Sequence, residues 1–282
     1  MTQKHIMAQK LTKAILRLKE RSRTAHKGDF GRVLIVAGSS DYVGAAVLAT
    51  HAALAVLKTG VDLVTVAAPE HVALVLNCIS PSLITVKLSG KYLRPAHLHQ
   101  ILPLLKKADV LLIGPGLGRR SDAVIRKLCR TELLKVIDAD AIRPLRTMRN
   151  QIHNAIFTPH AEEFHVLTGQ RLSTSLQERI RMVQSQTKQM TILLKGPTDI
   201  ISEKGKLALN TTGNSTMTKG GTGDVLAGFC AGFLARTRDT FRAACMAAYL
   251  NGTLGDMLAK EFGSTYLTED LLSVVHRVWR IP

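Results

Sequence analysis

Lys219-Gly220-Gly221-Thr222-Gly223-Asp224-Val225-Leu226-Ala227-Gly228 carries the strongest chemical signal in the chain. Three glycines lead into a helical run of small residues. Glycine lets the backbone come close to a ligand, and the free N–H groups at a helix start attract anions. Gly221, Thr222 and Gly223 are therefore candidates for an anion hole. Asp224 beside them can act as a general base toward a hydroxyl lying against a bound phosphate. The same free N–H groups predict that Asp224 is ionised. The competing reading is an ordinary glycine-rich loop with Thr222 or Asp224 as an N-cap.

Four other segments place polar groups or glycines just after an apolar run. Lys195-Gly196-Pro197-Thr198-Asp199 follows one such run and can lie over an adenine ring or its phosphates; by itself it is equally a plain β-turn. Gly114-Pro115-Gly116-Leu117-Gly118 follows another and offers backbone N–H groups to an anion. It is not a dinucleotide fingerprint of the G-x-G-x-x-G kind, and the chain has no P-loop lysine motif. Asp138-Ala139-Asp140 offers carboxylates for a metal-bound water, or Asp140 as a helix cap. In Thr158-Pro159-His160-Ala161-Glu162-Glu163-Phe164, Thr158 or His160 can face a ligand. Glu162 and Glu163 read as first-turn acids that favour the helix dipole.

These segments need elements to hold them. Apolar runs predict strands over Arg32–Ala37, Asp62–Ala67, Leu83–Leu88, Asp109–Ile113, Leu134–Ile137, Ala155–Phe157 and Thr191–Leu194. A hairpin follows over Asp199–Ser202 and Lys206–Leu209, around Gly205. Helices are predicted over Leu11–Arg21, Ala45–Lys58 (after a loop, Gly38–Gly44), Pro95–Lys107, Asp224–Ala235, Thr240–Lys260 and Leu267–Val278, with a further helix start at Pro69. Strands alternating with helices imply a mostly parallel sheet of about eight or more strands, covered on both faces. Ligands of such sheets bind beyond the carboxyl ends of the strands, where nearly all the motifs above fall.

Composition narrows the class. The 282 residues are 46% hydrophobic, enough for a core, with only 4% aromatic, so aliphatic side chains do the packing. No composition break divides the chain, and a single domain over 1–282 is expected, with 1–26 as a basic N-terminal extension. The longest apolar stretch, Ala45–Val56, is interrupted by Thr50 and His51 and falls short of the ~20 residues a membrane span needs. No secretory signal is visible. Cys78, Cys129, Cys230 and Cys245 form no C-x-x-C pair and read as free thiols of a reducing cytoplasm. His97 and His99 sit two apart and point to different faces of a helix, so no metal-ligand set is expected from them. The formal charge of +17 raises nucleic-acid binding as a class, but aromatics for stacking on bases are scarce. A positive field that draws in anionic metabolites fits the charge equally well.

Taken in order, Lys27-Gly28-Asp29-Phe30-Gly31-Arg32, Gly44-Ala45, the Gly114–Gly118 segment, Asp138-Ala139-Asp140, Thr158-Pro159-His160, Lys195-Gly196 and Gly220–Asp224 resemble the NAD(P)H-hydrate dehydratase family of the ribokinase-like superfamily. The resemblance runs from about Lys27 to Leu272. Two positions depart from the family's pattern: Ala161-Glu162 stand where Pro-Gly is usual, and Val43 replaces the first glycine of a Gly-Gly-Ala.

The resemblance implies a three-layer α/β/α ribokinase-like fold. It implies that Ala45, Gly118, His160 and Asp224 contact hydrated NADH or NADPH. Lys195, Gly196, Pro197, Thr198, Asp199 and Gly223 would contact the adenine nucleotide, ADP or ATP, which serves as phosphoryl donor with Mg²⁺. Asp224 would take the proton of the C6 hydroxyl as that oxygen attacks the terminal phosphoryl group. The resemblance further suggests a homo-oligomer, plausible as a tetramer that uses Thr240–Lys260, and a separate epimerase partner, since the N-terminus is too short for a fused one. A small-molecule kinase of the same superfamily, keeping the phosphate on its product, is the alternative.

Overall fold

The computed structural model describes residues 8–18, 22–40, 44–187 and 189–279. Ten strands form one sheet: β1 (Gln9–Lys10), β2 (Arg32–Val36), β3 (Leu63–Pro69), β4 (Ile84–Leu88), β5 (Val110–Ile113), β6 (Leu134–Ile137), β7 (Ala155–Phe157), β8 (Thr191–Leu194), β9 (Asp199–Glu203) and β10 (Lys206–Asn210). Their order is β1-β10-β9-β8-β7-β6-β5-β2-β3-β4. Every neighbouring pair is parallel except β8–β9 and β9–β10, so β9 alone runs against the rest. From β2 the chain moves outward to β3 and β4, then returns to place β5 on the other side of β2. The strand order therefore reverses between β2 and β5, which opens a crevice at their carboxyl ends.

The helices are α1 (Gly44–Lys58), α2 (Glu70–Ile79), α3 (Leu98–Leu105), α4 (Asp122–Cys129), α5 (Ala161–Thr168), α6 (Leu176–Gln186), α7 (Thr222–Thr237), α8 (Thr240–Phe262), α9 (Thr268–Ser273) and α10 (Val275–Val278). They cover the sheet on both faces. Strand residues alternate between two cores, as the two-residue period demands. Val33 and Ile35 of β2 point into a core shared with α1, α7 and α8. Leu34 and Val36 point into another, built with α3, α4, α5 and α6. Among the described residues, no helix is long and apolar enough to cross a membrane.

Three expected elements differ. In place of a helix over Leu11–Arg21, Gln9–Lys10 extends the sheet beside β10, and Lys13–Leu16 makes a single 3₁₀ turn; residues 19–21 lie outside the described residues. The open edge of β10 offers unpaired backbone groups, which a short strand satisfies along its length. Leu11 N–H continues the pairing to Leu209 O at 3.2 Å, and Leu16 is buried with its carbonyl accepting from Trp279 Nε1 at 3.1 Å. The Leu267–Val278 helix breaks at Val274, whose φ of −102° and ψ of 3° are not helical. The segment Pro95–Lys107 starts as a 3₁₀ turn over Pro95–His97 and becomes α3 only from Leu98.

The contact of α1 with α7 depends on two glycines. A Cβ on Gly228 would meet Ala52 O at 2.3 Å and Ala55 Cβ at 2.7 Å; one on Gly232 would meet Thr59 Oγ1 at 2.1 Å. The small residues that read as a helical run are thus required by a close helix crossing. Gly228→Ala is expected to destabilise the protein by about 1–3 kcal/mol through overpacking. Thermal melts against the parent would show it; an unchanged Tm would mean that the crossing has slack. The apolar side of α8 is taken up inside the chain: Ala243, Ala247 and Leu254 are all fully buried there.

Candidate active site

The motifs converge on the carboxyl edge of the sheet. Asp138 follows β6 and is 2% exposed. Its Oδ1 accepts from the Thr158 hydroxyl at 2.6 Å, just past β7, and from Lys195 Nζ at 3.1 Å, just past β8. Lys195 Nζ also lies 3.6 Å from Glu163 Oε2. From the other side comes the start of α7. Gly223 shows how near it is, since a Cβ there would stand 3.4 Å from Lys195 Nζ. Asp224, the third residue of α7, completes a group of three carboxylates around one ammonium.

The charge balance of this group decides its protonation. Burial, and then the neighbouring Asp138, push the Asp224 carboxyl up to about 8, against the pull of Lys195. The expectation that free N–H groups keep Asp224 ionised is corrected here: desolvation and a like charge outweigh the helix start. Burial raises Glu163 as well, with Lys195 opposing. Burial works against the Lys195 ammonium, but Asp138, Glu163 and Asp224 together hold its pKa above the usual lysine value.

The capping reading of the glycine-rich segment does not hold either. Gly221 is the N-cap of α7, at φ 91° and ψ −17°, and no side chain caps the helix. The Thr222 hydroxyl donates instead to Met217 O at 3.0 Å and Lys219 O at 2.9 Å. Asp140 does not cap a helix: its Oδ2 accepts from Gly118 N–H at 2.8 Å and so fixes the Gly114–Gly118 turn. Gly114 in that turn has φ 135°, and a Cβ there would come within 1.8 Å of Asp138 O, so only glycine fits.

Of the other predicted site residues, Gly118 ends the β5 loop at φ 69°. His160 has a half-exposed side chain whose Nδ1 accepts from the N–H groups of Glu162 and Glu163 at 3.2 and 3.3 Å. Its own N–H donates to Glu163 Oε2 at 2.9 Å, so it caps α5. Glu162 and Glu163 do stand in the first turn of α5, but Glu163 is drawn into the carboxylate cluster as well. Ala45 lies in the first turn of α1. Val43 lies outside the described residues. In the Lys195–Asp199 loop, Asp199 Oδ1 accepts from Gly196 N–H at 3.1 Å and Oδ2 from Asn210 Nδ2 at 3.0 Å. Burial raises the Asp199 carboxyl to about 6. Gly196 and Pro197 stay exposed, and Thr198 is half-buried.

One further residue, His51, belongs to the site. His51, on α1, is 4% exposed, and a Cβ on Gly221 would come within 2.6 Å of its Nδ1. Its Nε2 lies 3.6 Å from Glu269 Oε1, while Thr268 Oγ1 donates to Gly220 O at 2.8 Å. The imidazole and α9 thus clamp the turn that presents the anion hole. A titratable ring beside Thr50, within a helix of mostly small and apolar residues, was the available clue.

Residues 33–277 match the model of a protein family, NAD(P)H-hydrate dehydratase. The chain belongs to this family. Among relatives, the bifunctional NAD(P)H-hydrate repair enzyme Nnr of Pyrobaculum aerophilum is 42% identical over 267 residues, which cover 92% of this chain and 52% of that protein. The chain therefore spans about half the length of its bifunctional relatives. An ADP-dependent (S)-NAD(P)H-hydrate dehydratase of Nitrosopumilus maritimus is 36% identical over 97% of this chain and 98% of its own length. Among solved structures, the ADP/ATP-dependent NAD(P)H-hydrate dehydratase of Bacillus subtilis, co-crystallised with ATP/Mg²⁺, superposes with a TM-score of 0.82 at 25% identity, covering 96% of this chain and 98% of that one. A ribokinase-like superfamily protein of Enterococcus faecalis also gives 0.82, at 28% identity over 95% and 94% of the two chains. The ribokinase-like three-layer fold implied by the dehydratase motifs is thus the fold observed.

Proposed function

We propose that this chain restores NADH or NADPH from the (S)-hydrate, at the expense of a phosphoryl group from ADP or ATP. The observation that carries the reading is Asp224: a buried carboxyl raised to about 8, at the start of α7 beside the backbone of Gly221 and Gly223. Membership of the dehydratase family supplies the substrate class.

Hydroxide is a poor leaving group, and phosphorylation makes the C6 oxygen a good one. Asp224 accepts the hydroxyl proton as that oxygen attacks the terminal phosphoryl group. The amides of Gly221 and Gly223 stabilise charge on the phosphoryl oxygens, while the Thr222 N–H, also expected in the anion hole, donates to Lys219 O at 3.4 Å. Lys195 opposes the rise of Asp224 and so favours loss of its proton; with Gly196–Asp199 it borders the adenine nucleotide. The ring nitrogen N1 then expels phosphate, and loss of the C5 proton restores the dihydropyridine.

A nucleotide-borne Mg²⁺ fits this surrounding. Asp138, Glu163 and Asp224 outnumber the single Lys195, which favours a further cation. Among the described residues no trio of His, Cys, Asp or Glu is spaced to hold a metal ion, so the phosphates and water would supply the remaining ligands. The ion would neutralise charge on the phosphates.

The reading extends to a homo-oligomer, a tetramer, working in the cytoplasm, and to an epimerase acting on the other C6 epimer. The longer relatives are named bifunctional, which supports a second repair activity beside the dehydratase.

Incubating hydrated NADH with the protein, Mg²⁺ and either ADP or ATP is expected to restore the absorbance of the reduced ring. Release of phosphate should match NADH formed. A phosphorylated product that persists would identify a kinase; no change with either nucleotide would overturn the proposal.

A further inference from the structure

The carboxyl edge of the sheet continues from Asp138 past β5, β2 and β3 to β4. Gly38 N–H donates to Pro115 O at 2.8 Å and joins the loops after β2 and β5. Ser40 N–H donates to Lys91 O at 2.9 Å and brings the loop after β4 against the same place. From that loop Tyr92 reaches back, and the guanidinium of Arg120 lies 4.5 Å above its ring. Arg120 follows Gly118 by two residues. The stacked pair therefore joins the loops after β4 and β5, beside the point where the strand order reverses.

Charge is divided along this edge. Asp138, Glu163 and Asp224 gather at β6–β8. Lys91, Arg119 and Arg120 gather at the β4–β5 end, exposed and, among the described residues, without an ion-pair partner. Asp122 is taken by Arg143 at 2.6 Å. Against the three cations stands Glu70, exposed at the start of α2. In the turn between them the Ser39 hydroxyl is buried and finds no partner among the described residues.

A dinucleotide whose reduced ring lies at Asp224 has its pyrophosphate and second nucleoside still to place. The β8 end is acidic and is assigned to the phosphoryl donor. Three strand spacings from β5 to β4 give about 14 Å of crevice, on the scale of the remaining half of an extended dinucleotide, and this half is basic and ends on an aromatic–guanidinium stack. Such a stack accepts a purine face, and guanidinium binds phosphate in a fixed fork.

We propose that Tyr92 and Arg120, flanked by Lys91 and Arg119, form the subsite for the adenosine end of the substrate, and that Arg120 favours the 2′-phosphorylated form. The inference rests on the dehydratase reading for the position of the reduced ring. It makes NADPH hydrate the preferred substrate.

The test compares the parent with Arg120→Ala, an exposed position whose loss leaves the core intact. The parent is expected to show about tenfold higher kcat/KM for NADPH hydrate than for NADH hydrate, the worth of roughly 1.4 kcal/mol. In R120A the ratio should fall toward one through KM, with kcat and the affinity for Mg-nucleotide unchanged. A ratio near one in the parent, or the same ratio in both proteins, overturns the subsite; a pair that only ties two loops together would give that result with a lower Tm. Calorimetry with NADPH and NADH keeps the two readings separable. If the parent turns over neither hydrate, the dehydratase proposal fails. The subsite then stands only if NADPH binds more tightly than NADH and R120A removes the difference; equal or absent binding overturns it.

Discussion

Asp224→Asn is expected to lower turnover of the hydrate by about 10²–10⁴-fold, the usual worth of a positioned base, and to make the protein more heat-stable at pH 8 and above. Both effects come from one feature. The Asp224 carboxyl is raised to about 8 in the folded protein, by burial first and Asp138 second. In the unfolded chain it titrates near the ordinary aspartate value. Between these two limits folding takes up a proton. Its contribution to stability is therefore largest below the unfolded value, and it is lost as pH rises through about 8. Asn carries no charge to bury, so the gain in Tm over the parent should grow between about pH 4 and pH 8 and then level off.

Turnover has the opposite dependence. The base works only when ionised, so kcat/KM of the parent should climb with pH and flatten above about 8, since this ratio reports groups of the free enzyme. Mg-ADP affinity should change little. Activity, melts and calorimetry on one variant thus give three separate readouts. A residue that merely capped α7 would behave otherwise, because Asn caps about as well as Asp. Near-normal turnover by Asp224→Asn would place the base elsewhere.

The fold was legible where a local pattern forces the outcome. Leu134–Ile137, Ala155–Phe157 and Thr191–Leu194 are short apolar runs between polar or turn residues, and each is a strand with those bounds. Even so, Lys135 in the first of these is fully buried, with Nζ donating to His153 O at 2.8 Å, an outcome its neighbours in sequence do not announce. The N-terminal segment misled because its alternation of basic and apolar residues suits an amphipathic helix. What decided it was a sheet edge at β10, nearly 200 residues further along the chain.

The site divides in the same way. Glycine placement marks close backbone approaches, so Gly114 and Gly221 could be found from the sequence. The state of Asp224 could not, because it depends on Asp138 and Lys195, which only the finished sheet brings beside it. The ion pair of those two residues joins positions 57 apart in the chain. His51 and Glu163 act in the site through the same tertiary packing.

That pair makes Lys195 the position whose loss should disturb the site most broadly. Lys195→Met keeps much of the side chain's length and apolar stem but removes the one ammonium among Asp138, Glu163 and Asp224. Asp138 is 2% exposed and the Lys195 side chain 20% exposed, so the pair is poorly screened by solvent. Taking away one partner of a buried pair costs about 3–5 kcal/mol when the other stays charged. The cost should depend on pH, with a sign that follows from the acids. Burial already raises Glu163 and Asp224, and Lys195 opposes that rise in both. Without it they move higher still, and the folded state takes up protons over a wider range. Lys195→Met should therefore be only mildly destabilised near pH 5, and should lose stability against the parent as pH rises toward 9. Its activity should be low, with the rising limb of kcat/KM moved to higher pH than in the parent. Lys195→Arg keeps the charge and should restore most of the stability but less of the activity, because a planar fork cannot take the place of a compact ammonium beside Gly223. Urea unfolding at pH 5 and pH 9, with a pH–rate profile for each variant, measures all of this. An equal loss of stability at both pH values would mean that the ammonium is not what balances the three acids.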